Sequence, residues 1–111
     1  MSRLISKTEA AVVERALQVA PTKGVAPEVF ASVASLHVTA ICKCGCGTLW
    51  FGSDGDASTG IILADARGTA DGRDMDLIVW FNQGSIVGLE LIGVNALSLP
   101  QITSIRPHGV A

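Results

Sequence analysis

The sequence predicts an α+β fold, with one or two N-terminal helices packed on an antiparallel sheet of about four to five strands. Three observations predict it. Apolar residues recur at helical spacing only near the N-terminus. From residue 36 onward the pattern becomes short apolar runs and alternations broken by Gly, Asp, Asn and Ser. The chain of 111 residues, 49% hydrophobic and 16% charged, has the length and composition of one folding unit. The expected organisation is a single domain over residues 1–111, helical over 6–35 and sheet over 36–106.

The first helix is expected over residues 6–20. Ser6 can accept a hydrogen bond from the backbone N–H of Glu9, and Glu9 can reach back to Ser6, which makes a capping box. Ala10, Val13, Leu17 and Ala20 form one apolar face, widened by Val12, Ala16 and Val19. Pro21 ends the helix because its ring clashes with the preceding turn. After a linker, Pro27 fits a first helical position, and a short helix over 27–35 buries Phe30 and Val33.

Residues 36–42 alternate as a strand, with Leu36, Val38, Ala40 and Cys42 on one side and His37, Thr39 and Ile41 on the other. Residues 48–51 form a second short strand that pairs antiparallel with the first. Residues 52–60 read as a loop, 61–67 as a strand and 68–74 as another loop. Residues 76–81 and 86–92 form the clearest hairpin, with Asn82-Gln83-Gly84-Ser85 as its turn. Beyond it, Leu97, Leu99, Ile102 and Ile105 drape over the sheet in a tail that Pro100 and Pro107 keep irregular.

The N-terminus lacks the apolar run and cleavage site of a signal peptide. No stretch reaches the roughly 18 apolar residues of a membrane span. An odd count of 3 cysteines makes no disulfide framework. These features point to a cytoplasmic protein with no membrane partner.

The formal net charge is −2, and the signs are unevenly placed. Up to Lys43, five bases face three acids. From Asp54 to Glu90, seven acids face only Arg67 and Arg73. Nucleic-acid binding wants a basic face, which this region reverses. An acidic surface instead steers a basic partner, although Asp is also common in turns for local reasons.

Cys42-Lys43-Cys44-Gly45-Cys46-Gly47 is the most unusual local feature. Small buried thiols around a tight turn are its first reading. The second is zinc held by Cys42, Cys44 and Cys46 with His37 or His108, against which stand the single-residue spacings and the lack of a second cluster. A reactive thiol is the third, but His37 points to the face opposite Cys42.

Other candidates are weaker. Asp54, Asp56 and Asp65 echo a calcium loop, but Thr59 stands where glycine is required. Glu90 shares a strand face with Gly88 and Ile92, and no partner group is placed by spacing to make it a catalytic acid. His108 reads as solvent-facing. Trp50 and Trp80 read as core residues first and as exposed anchors second. No nucleophile elbow, phosphate-binding loop or metalloprotease motif is present, so no enzymatic activity and no cofactor are expected.

Cys42, Cys44, Gly45 and Cys46, followed by Gly88-Leu89-Glu90-Leu91 and Leu99-Pro100, resemble a group of small bacterial proteins of unassigned role. Gly47 and Thr48 stand where that group often has proline. In size, acidity and lack of catalytic groups the chain is also similar to immunity proteins of contact-dependent growth inhibition and related toxin–immunity systems. That likeness implies a non-enzymatic protein that occludes the active site of a cognate, basic toxin. Asp54, Asp56, Asp71, Asp74 and Asp76 would then make the contact surface. The alternative is a zinc-stabilised adaptor or regulatory domain built on Cys42, Cys44 and Cys46.

Overall fold

The first helix forms where its cap and apolar stripe place it. In the computed structural model, which describes residues 2–41, 47–51, 60–93 and 98–109, α1 spans Lys7–Val19 with both halves of the Ser6–Glu9 capping box in place. Ala10, Val12, Val13, Ala16 and Leu17 are buried, so the expected stripe is the face that meets the core. Helix α2 spans Pro27–Ser32 with proline in its first turn, and a 3₁₀ turn, Val33–Ser35, continues it. Val33 is buried and Phe30 partly so.

Among the described residues the sheet is larger than the expected four or five strands. Six strands pair in the order β3-β4-β7-β6-β5-β8, and β1 (Arg3–Leu4) and β2 (His37–Val38) form a separate ribbon. Every pairing is antiparallel. The central strands are β5 (Ile61–Ala70), β6 (Arg73–Asn82) and β7 (Ser85–Ile92); β3 (Ala40–Ile41), β4 (Leu49–Trp50) and β8 (Arg106–Pro107) are short.

Three differences from the sequence reading account for the extra strands. The loop expected over 68–74 is a tight hairpin. Asp71 (φ 53) and Gly72 (φ 76) make a two-residue turn of the primed kind, whose twist matches the strands it joins. The strand expected over 36–42 is divided at Thr39, which donates its N–H to the Trp50 carbonyl at 2.8 Å. Before Thr39 the chain pairs with the N-terminus, and after it with β4. The tail is not irregular throughout: Arg106 and Pro107 pair with Arg67 and Ala66 at the sheet edge, where proline's missing N–H costs no interior ladder bond.

The second hairpin turns at Gln83 (φ 50) and Gly84 (φ 83), as its turn residues predict. Two register shifts, at Ile62/Ala64 and Trp80/Phe81, decide which side chains share a face. The first lets the consecutive residues Leu63 and Ala64 both be buried while Ile62 and Asp65 stay less so.

One face of the sheet carries Ala66, Met75, Leu77, Val79, Leu89 and Leu91, which join the buried stripe of α1 in one core. Pro100 closes this side over Gly68, where an added Cβ would lie 2.8 Å from the proline Cβ. The strand edge at β5 is covered along much of its length. Ala20 and Thr22 bond to Asp65 and Leu63, β8 pairs with Ala66 and Arg67, and Gln101 bonds to Thr69.

Candidate functional site

The second face of the sheet holds the polar and aromatic residues left over when the core is subtracted. Register places Ala40, Trp50, Gly88, Trp80 and Ile62 in one row across five strands. The next row on this face is Glu90, Ile78 and Asp65, and the next is Ile92, Asp76, Arg67 and Arg106. The described helices lie on the opposite side, with the core.

The aromatic row depends on a glycine. A Cβ built on Gly88 would come within 2.4 Å of two ring carbons of Trp50. The indole therefore lies against the β7 backbone in the space a side chain would take. Trp80 stands directly across from Gly88 on β6 and donates its indole N–H to Glu90 Oε1 at 2.9 Å. Both tryptophans are half-buried. They belong to the second face, not to the core that was their first reading, because the period of two puts Leu49 and Val79 inward in their place. Glu90 shares this face with Gly88 and Ile92 as expected, and among the described residues it has no cationic partner.

The charged row is compensated internally. Arg106 lies 3.4 Å from Asp74, and Arg67 lies 3.9 Å from Asp74 and 3.5 Å from Asp76. Arg67 Nε and Asp76 Oδ1 are enclosed atoms without a hydrogen bond. At 3.5 Å they attract as charges but are too far apart for a good hydrogen bond. The Thr69 hydroxyl bonds Asp74 at 3.0 Å and, with Arg106 and Arg67 adding, holds its carboxyl below the usual aspartate range. His108, read from sequence as solvent-facing, sits 2.8 Å from Asp65 and 3.8 Å from Asp76 while remaining 44% exposed.

The five aspartates of the expected contact surface thus have different settings. Asp74 and Asp76 lie on the second face among arginines, and Asp71 is exposed at the tip of the β5–β6 turn. Asp54 and Asp56 fall outside the described residues, as do Cys42, Cys44 and Cys46. His37 is exposed on β2, away from this face. Among the described residues no group of three His, Cys, Asp or Glu side chains is placed to hold a metal ion. No described helix is long and apolar enough to cross a membrane.

A separate apolar groove of about 310 Å³ is lined by Ser2, Arg3, Val38, Ala40 and Ile41. Among the described residues its charged group is Arg3, which is committed elsewhere in a two-pronged ion pair with Glu9 at 2.7 and 2.8 Å.

Sequence reasoning missed the cluster of Asp65, Arg67, Asp76, Arg106 and His108, and the pairing of Trp50 with Gly88. A signal for part of it was present: Asp65, Arg67 and Thr69, like Asp74 and Asp76, are spaced by two. Reading 68–74 as a loop hid that alternation. No protein-family model, curated protein or solved structure matches this chain.

Proposed function

We propose that this chain is a non-enzymatic binding protein that seats a partner protein on the second face of its sheet. In its specific form it is an immunity protein that occludes a cognate bacterial toxin. The observation that carries this reading is the row Trp50–Gly88–Trp80. Two half-buried tryptophans stand side by side on a face that no described helix covers. Tryptophan and arginine dominate the energetics of protein interfaces, and a hydrogen-bonded sheet holds such anchors in place in advance of binding. Around them lie Ile78, Ile92 and a polar rim, the arrangement of a desolvated centre with a wet margin.

The acidic character of the proposed contact narrows. Asp74 and Asp76 are partly neutralised by Arg67 and Arg106, so they orient a partner more than they attract it. Asp71 and Glu90 have no ion pair among the described residues, and they supply the attraction for a basic toxin.

The test is calorimetric titration with a purified candidate toxin domain of basic charge. Trp80→Ala is expected to weaken binding by at least about tenfold, a hot-spot loss. Ile102→Ala, in the 3₁₀ turn Ile102–Ser104 that packs near α1, leaves it unchanged. Raising salt to about 0.5 M weakens the complex through screening. Equal affinity for Trp80→Ala and the unchanged protein contradicts the reading.

A further inference from the structure

We propose that the platform formed by Trp50, Trp80 and Glu90 is a seat for an arginine side chain of the partner. The inference rests on the binding-face reading and names the group that this face recognises.

Three features of the site converge on a guanidinium. First, Trp50 lies down over Gly88, so one side of its ring faces the β7 backbone and the other faces away from it. The face of an indole is its electron-rich side, and it attracts cations, arginine above all. Second, the neighbouring Trp80 is fixed by its indole bond to Glu90 Oε1 at 2.9 Å. Its ring orientation is therefore set before any ligand arrives. Third, that bond uses one oxygen of Glu90, and among the described residues no cation answers the charge. A carboxylate held at the edge of one indole, two residues along the strand from the glycine that a second indole covers, matches a planar cation that can stack and donate hydrogen bonds at once.

Charge on the whole face points the same way. Asp65, Asp74, Asp76 and Glu90 stand against Arg67 and Arg106, which leaves −2 with His108 neutral. The compensating arginines sit at the β5–β8 side. The unanswered carboxylate sits at the aromatic side. A cation approaching the face is thus drawn toward Glu90. Lysine satisfies the charge but neither stacks as a plane nor fills two donor positions, so arginine is the better fit.

The experiment uses the full chain and a soluble peptide of alternating arginine and serine, followed by tryptophan fluorescence and checked by calorimetry. Two further peptides replace arginine with lysine or with citrulline, which keeps the shape and loses the charge. Saturable binding is expected for the arginine peptide, at least threefold weaker for lysine and at least tenfold weaker for citrulline. Glu90→Gln removes the charge yet keeps an acceptor for Trp80, and it is expected to weaken the arginine peptide at least fivefold. Glu28→Gln removes the same charge on α2, away from this face, and is expected to change affinity less than twofold. Trp80→Phe provides a second variant that keeps a ring if Trp80→Ala fails to fold, and it too loses affinity. Equal losses for Glu90→Gln and Glu28→Gln mean a diffuse charge effect and overturn the proposal. So does equal binding of the three peptides. If toxin binding still needs Trp80 but is indifferent to arginine-to-lysine changes across the toxin surface, the arginine seat fails while the binding face stands.

Discussion

Gly88 is a residue whose identity is explained by another residue's ring. Trp50 occupies the volume of the missing side chain, so Gly88→Ala must lift the indole from the β7 backbone. Overpacking of this kind costs about 1–3 kcal/mol, and urea unfolding of Gly88→Ala is expected to show that loss together with a red-shifted tryptophan emission. At the other end of the chain, Glu9 accepts from Arg3 and from the Ser6 backbone, and these bonds hold its carboxyl down at about 2. Arg3 is the largest cause. A depressed carboxylate stabilises the fold above its unfolded value near 4.5, and the contribution disappears as pH falls from there toward 2. Arg3 is half exposed, so solvent screening reduces the effect to about 1 kcal/mol or less. Stability measured from pH 6 down to about pH 2 should decline in that window, and Glu9→Gln should flatten this part of the profile.

At the scale of elements, the long antiparallel sheet creates an edge that the chain then covers. Ten residues of β5 would otherwise present free backbone groups to other molecules. Ala20 and Thr22 cover the first half, β8 the middle, and Ser104 and Gln101 the end. Ser104 Oγ accepts the Thr69 N–H at 2.8 Å, and its hydroxyl donates to the Gln101 carbonyl oxygen at 2.6 Å, with the Thr69 carbonyl oxygen 3.3 Å away. Ser104→Ala leaves the Thr69 N–H without that partner, a loss of about 1–2 kcal/mol. Urea unfolding checks the loss, and faster amide exchange at Thr69 checks its location. These elements also mark how far the sequence could be read. Helix α1 was legible because its cap and stripe are local, and the Asn82–Ser85 hairpin because its turn is local. The strands β1 and β8 were not, since two-residue strands carry no periodicity and exist only through distant partners, Val38 for one and Arg67 for the other. The Asp71-Gly72 turn was legible in principle, but a reading of 68–74 as one loop masked it.

For the whole molecule, the two faces of one sheet divide the labour. The inner face meets α1 in an apolar core, and the outer face carries tryptophans, arginines and aspartates that the core does not use. The core's membership was largely visible from periodicity. The outer face was not, because Trp50 and Trp80 come from strands 30 positions apart and meet only through the register of β4, β7 and β6. No single stretch of sequence contains the row. The claim that this face binds a partner is tested most directly by an amide and indole chemical-shift titration with a candidate basic toxin domain. The account predicts shifts concentrated at Trp50, Ile78, Trp80, Gly88 and Glu90, with the Trp80 indole N–H moving most. Shifts confined to α1 and α2, with the outer face silent, would contradict it.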